Sequence, residues 1–79
     1  MPVVFRFNGI RFHFFSNEGD PREPLHIHAQ RAECLAKVWL SCFAIAENHG
    51  FSASELRVIL EQVATHALEI ERVWNEYFG

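Results

Sequence analysis

The sequence predicts an α+β domain: an antiparallel sheet of four to five strands with one long amphipathic C-terminal helix packed on one face. Three observations predict it. Apolar and polar residues alternate through most of residues 2–47, the period of a strand with one wetter face. Turn formers punctuate those runs at short intervals. From Ser52 onward the apolar spacing changes to three and four, the pattern of one helix face. With 79 residues the chain reads as a single domain over 1–79, because a second core could not be filled.

The strands follow in order. Val3, Phe5 and Phe7 alternate with Val4 and Arg6. Asn8-Gly9 is then a hairpin signal, since both residues tolerate positive φ. Ile10, Phe12 and Phe14 alternate with Arg11, His13 and Phe15 in a second strand. Residues Ser16 to Pro24 collect charges and turn formers and read as an exposed loop stiffened by Pro21 and Pro24. Leu25, Ile27 and Ala29 then alternate with His26, His28 and Gln30, and a turn near Arg31-Ala32 precedes Cys34, Ala36, Val38 and Leu40. Segment 41–50 fits either a short fifth strand or one or two helical turns, and the alternation of Phe43 and Ile45 favours the strand. His49 is read in the turn before Gly50.

Ser52 and Glu55 form a capping box, with Phe51 and Leu56 placed for a hydrophobic staple. Leu56, Leu60, Val63, Ala67, Ile70, Trp74 and Tyr77 continue the stripe. One unbroken helix over 52–78 follows, of which residues 53–78 span about 39 Å at 1.5 Å per residue. A helix that long overhangs the sheet, so Trp74, Tyr77 and Phe78 are the candidate partner-binding residues; the alternative is that they fold onto the sheet edge.

Composition narrows the function classes. Almost half the residues are apolar and eight are Phe, so a core can form without disulfides. Cys34 and Cys42 show no paired spacing and read as reduced thiols. No run reaches a signal-peptide core or the roughly 20 apolar residues of a membrane span, so a cytoplasmic location is expected. Net charge is −3, which argues against general nucleic-acid binding. The charge is uneven: residues 40–79 hold only Arg57 and Arg72 against six Glu, whereas most basic side chains lie in the first half.

Strand phase carries the functional inference. If the apolar set of each strand faces the helix, Arg6, Arg11, His13, His26, His28 and Lys37 share the opposite face. Such a face can meet phosphate or another anion, with Arg6, Arg11, His13 and Lys37 as the binding candidates. The plain alternative is a solvated sheet face. His26 and His28, two residues apart on one strand, can form a proton donor and acceptor pair or share a metal. His66 borders the apolar helix stripe, where a hydrogen-bonded structural histidine is the ordinary reading and a catalytic role the alternative. There is no Gly-rich phosphate loop, HExxH or nucleophile elbow. The remaining toolkit of His26, His28 and His66 with cations matches metal-independent ribonuclease chemistry, without cofactor or metal.

The opening MPVVFRFNGIRFHFFSNE, the EPLHIH segment, AKVWL and the tail GFSASELRVILEQVATHALEIERVWNEYFG resemble the prokaryotic domain-of-unknown-function family 4160. The most specific matches are Pro24, His26, His28, His66 and Trp74; Leu25 stands where the family usually has a second proline. The resemblance implies the toxin component of a type II toxin–antitoxin pair, whose cognate antitoxin partner looks like family 2442. It does not specify a reaction. Three readings follow: a toxin, with RNA as target if it is a ribonuclease; a non-catalytic regulatory module docking a partner protein or a DNA-binding complex; and a metal site of His26, His28 and His66. A homodimer through the aromatic helix end is a further expectation.

Overall fold

A computed structural model describes residues 3–15 and 24–78. Within them lie five strands and two helices: β1 (Val3–Phe7), β2 (Ile10–His13), β3 (His26–Arg31), β4 (Cys34–Trp39), β5 (Ala44–His49), α1 (Ala53–Thr65) and α2 (Ala67–Phe78). The strands form one antiparallel sheet in sequence order, a meander with β1 and β5 at its edges. The α+β class and the presence of a fifth strand agree with the sequence pattern, but Phe43 lies in the turn before β5 at φ 49° and not in the strand. The loop read over Ser16 to Pro24 lies outside the described residues except for Pro24.

Turn chemistry fixes the register. Asn8 and Gly9 both take positive φ (50° and 76°) and pair Phe7 with Ile10 across the hairpin, as a two-residue turn of this type requires. Ala32 at φ 53° turns β3 into β4, with Arg31 opposite Cys34. Two edge irregularities escape the sequence pattern. Val3 opposes His13 while Phe5 opposes Phe12, so β1 carries Val4 as an extra residue. This bulge moves Val3 off the face of Phe5 and Phe7, correcting the alternation read from the sequence. Ala46 is similarly extra in β5, between Glu47 opposite Lys37 and Ile45 opposite Val38. His49 closes β5, not a turn, so the sheet ends two residues later than the alternation indicated.

The helical segment is the main correction. It is not one long helix: α1 ends at Thr65, and His66 (φ −103°, ψ 16°) separates it from α2. No Gly or Pro marks the break. Instead, Thr65 Oγ1 donates to the Glu61 carbonyl at 2.9 Å, and His66 Nδ1 donates to the Gln62 carbonyl at 2.9 Å. Side chains that bond carbonyls four residues back compete with the helix ladder and bend it. The two shorter helices therefore stay over the sheet, and the aromatic end does not overhang. Trp74 is 3% exposed and packs edge-on to Phe14 with ring centroids 5.2 Å apart.

One core lies between the sheet and the helices. Phe12, Phe14, Ile27, Ala29, Ala36 and Val38 meet Ile59 and Val63 of α1 and Ile70 and Trp74 of α2. The four helix residues are spaced four, seven and four apart, which keeps them on one side through the break. The capping box at Ser52 and Glu55 is present, and Glu55 also pairs with Arg31. The Ser52 backbone N–H, then the Arg31 guanidinium, hold the Glu55 carboxyl well below the usual carboxylate range, at about 2.

Candidate functional site

The pleat sorts the other sheet face into three cross-strand rows. The first runs Arg6, Arg11, Gln30, Leu35 and His49; the second Val3, His13, His28, Lys37 and Glu47; the third His26, Trp39 and Ala44. His13 and His28 are directly opposed on neighbouring strands, and His26 lies two residues along β3 from His28. The ring centroids are 5.9 Å apart for His13 and His28 and 5.3 Å for His26 and His28. Strand phase thus gathers three imidazoles. The sequence placed His13 among the anion-binding residues; cross-strand register makes it as close a neighbour of His28 as His26 is.

The face is not the open, solvated surface that alternation alone implies. His13 and His26 are 0% exposed and His28 is 5% exposed. Phe15 lies against both His13 and His28, at 5.0 and 4.5 Å between centroids. His26 is the first residue of β3, so it stands at the end of the sheet, where Trp74 of α2 reaches it. Trp39 and Trp74 meet its ring edge-on at 5.6 and 5.2 Å. Arg6 remains exposed, while Arg11, Gln30, Lys37 and Trp39 are half-buried. Lys37 Nζ sits 4.6 Å from the Trp39 ring centroid, a cation–π contact.

Hydrogen bonds orient the imidazoles. His26 Nδ1 donates to the Pro24 carbonyl at 2.9 Å, so in the neutral ring Nε2 is the acceptor. The backbone carbonyl of residue 24 thus sets the tautomer of the first histidine. His13 Nε2 donates to Gln30 Oε1 at 3.0 Å, and its buried Nδ1 has no hydrogen-bond partner among the described residues. Such a pair of nitrogens, one donating and one holding a free lone pair, is the arrangement that proton transfer uses.

His66 does not join this group. Its ring stacks on Phe5 at 3.8 Å, and Phe5 stacks on Phe12 at 4.2 Å, on the helix-covered face. The sheet therefore separates His66 from His28, and a metal site built from His26, His28 and His66 is ruled out by this placement. No group of three or more His, Cys, Asp or Glu with metal-holding geometry occurs among the described residues. Of the three partner-binding candidates, Trp74 is in the core and Phe78 packs on Trp74 at 4.5 Å and on Phe14 at 5.8 Å, leaving Tyr77 the most exposed at 47%. A groove of about 330 Å³ between Leu25, Leu40, Ser41, Ala67, Leu68 and Glu71 adjoins the end of the sheet but contains none of the histidines. Leu68 stands 84% exposed there. No helix among the described residues is long and apolar enough to cross a membrane.

A five-stranded meander backed by two helices, with an imidazole cluster on its far face, defines a small α+β domain. The chain belongs to the family described as domain of unknown function DUF4160, whose model matches residues 9–75. That span takes in His13, His26, His28, His66 and Trp74. No curated protein and no solved structure matches the chain.

Proposed function

We propose that this chain is the toxin component of a type II toxin–antitoxin pair, and that it acts as a metal-independent ribonuclease through His26 and His28, with His13 beside them. The observation that carries the reading is the clustering of three imidazoles on one sheet face, with centroids 5.3 and 5.9 Å apart. One imidazole takes the proton of a ribose 2′-hydroxyl, whose oxygen attacks the adjacent phosphorus. The bond from phosphorus to the 5′-oxygen breaks, and a second imidazolium protonates that leaving oxygen. A cation stabilises charge on the phosphorane oxygens. Because the rings are buried, the aromatic side chain of Phe15 must swing aside to admit the ribose-phosphate. His66 takes no part in the chemistry on this reading, since it stacks on Phe5 behind the sheet. The cognate antitoxin is a partner that keeps the toxin inactive in the cytoplasm.

Expression of the chain alone in a bacterial host tests the proposal. Growth arrest is expected, relieved by His26→Ala/His28→Ala and by the product of an adjacent reading frame. Normal growth with abundant folded protein, or undiminished arrest in a double variant that retains its fold, would count against it.

The burial of His13 and His26 favours a second reading, a non-catalytic regulatory module. Here the histidines order the end of the sheet, and the groove beside Leu68 docks a partner protein or a DNA-binding complex. Purified protein would then leave RNA intact under all conditions, while Leu68→Glu would abolish co-purification with the partner.

A further inference from the structure

We propose that Arg6 and Arg11 form a two-guanidinium site for a phosphate oxyanion. The two residues face each other directly across β1 and β2, five positions apart around the tight Asn8-Gly9 turn that fixes their register. Like charges placed directly opposite on one sheet face repel and destabilise the pair. Nothing among the described residues relieves that repulsion. The ion pairs there are Arg31 with Glu55 and Arg72 with Glu76, and neither Arg6 nor Arg11 takes part in one. Their row continues through Gln30, Leu35 and His49 and contains no acid. Arg6 is exposed and Arg11 half-buried, so the pair is open to solvent where the histidines are not.

A guanidinium is a planar fork of N–H donors that matches phosphate oxygens, and a dianion bound between two opposed arginines turns their repulsion into attraction. The ligand class is therefore a phosphate, either a free phosphate group or a phosphodiester of an RNA backbone. The second source rests on the ribonuclease reading. Gln30, next to Arg11 in the row, holds His13 Nε2 at 3.0 Å. A phosphodiester on the arginines would thus lie one row, roughly 6–7 Å along the strands, from the imidazole cluster.

Arginine side-chain Nε–H resonances, assigned in the whole chain at low ionic strength, give the test. Inorganic phosphate and a short single-stranded oligoribonucleotide are titrated separately, with sodium chloride at matched ionic strength as control. Saturable shifts of Arg6 and Arg11 with phosphate alone assign a free-phosphate site; shifts with both ligands assign backbone recognition. For the oligoribonucleotide, the slope of log affinity against log salt is expected to fall by about 0.7 for each arginine removed. Arg6→Gln is expected to be at least as thermally stable as the parent without phosphate, yet to bind phosphate at least tenfold more weakly. Arg6→Glu, which can pair with Arg11, should lose the response altogether. Shifts no larger than those with chloride, or phosphate affinity unchanged in Arg6→Gln, overturn the site. Phosphate binding that survives in the non-toxic His26→Ala/His28→Ala variant separates this result from the catalytic proposal.

Discussion

Phe5 holds the His66 imidazole face to face, ring centroids 3.8 Å apart and planes 15° from parallel, at the residue between α1 and α2. The contact joins the helix break to edge strand β1, and through Phe5 to the fully buried Phe12. Removing the ring by His66→Ala is expected to destabilise the protein by about 1–2 kcal/mol, from lost stacking and packing. Urea denaturation measures it. Toxicity normalised to folded protein should be unchanged, since His66 lies behind the sheet from His28; a loss of activity at full folding would place it in the chemistry.

Acid should weaken the junction between sheet and α1. Glu55 has a folded pKa lowered to about 2 from an ordinary 4.5, first by the Ser52 backbone N–H and then by Arg31. A carboxyl whose folded pKa is depressed contributes stability that is complete above its unfolded pKa and lost as pH falls through the folded value. The loss therefore runs from about pH 4.5 down to about pH 2. Glu55→Gln should flatten that part of the stability profile, measured by thermal melts across the range. An unaltered acid limb would show that other carboxyls control it.

Gln30 tests the value of an orienting bond. Gln30→Leu leaves the buried His13 Nε2–H without its acceptor, at an expected cost of about 1–3 kcal/mol. Chemical denaturation reads the stability, and the His13 ring resonances should broaden or split as the ring loses its anchor.

Two positive-φ positions should respond in opposite directions. Ala32 sits at φ 53° in the β3–β4 turn, so Ala32→Gly is expected to stabilise by about 0.5 kcal/mol, relief of strain exceeding the added chain entropy. Gly50 at φ 102° has Cys34 Sγ 3.0 Å from where a Cβ would stand. Gly50→Ala should cost about 1 kcal/mol or more. Melting temperatures of the two variants, compared with the parent, check both signs.

Much of the sheet was legible in the sequence because period-two alternation and the Asn8-Gly9 turn are local. Cross-strand register followed from them, and so did the shared face of His13, His26 and His28. What covers that face was not legible: alternation tells which side a residue takes, while burial of His26 depends on Trp74, forty-eight positions away. The helix break was hidden for a different reason. Thr65 and His66 are tolerated inside helices, and the apolar stripe runs through them without interruption. The signal available was a Thr-His pair whose side chains can both bond carbonyls four residues back. Bulges at Val4 and Ala46 had no signal, because Val and Ala stand in a regular strand as readily as at an extra position.

Those two extra residues have a consequence for the sheet's borders. Among the described residues the meander ends on two edge strands, β1 and β5, and an edge strand is a template for another copy's backbone. Val4 and Ala46 put the spacing of amide and carbonyl groups out of step along each rim. A bulge of this kind interrupts the even ladder that an added strand would need, so each rim is blunted as a pairing edge.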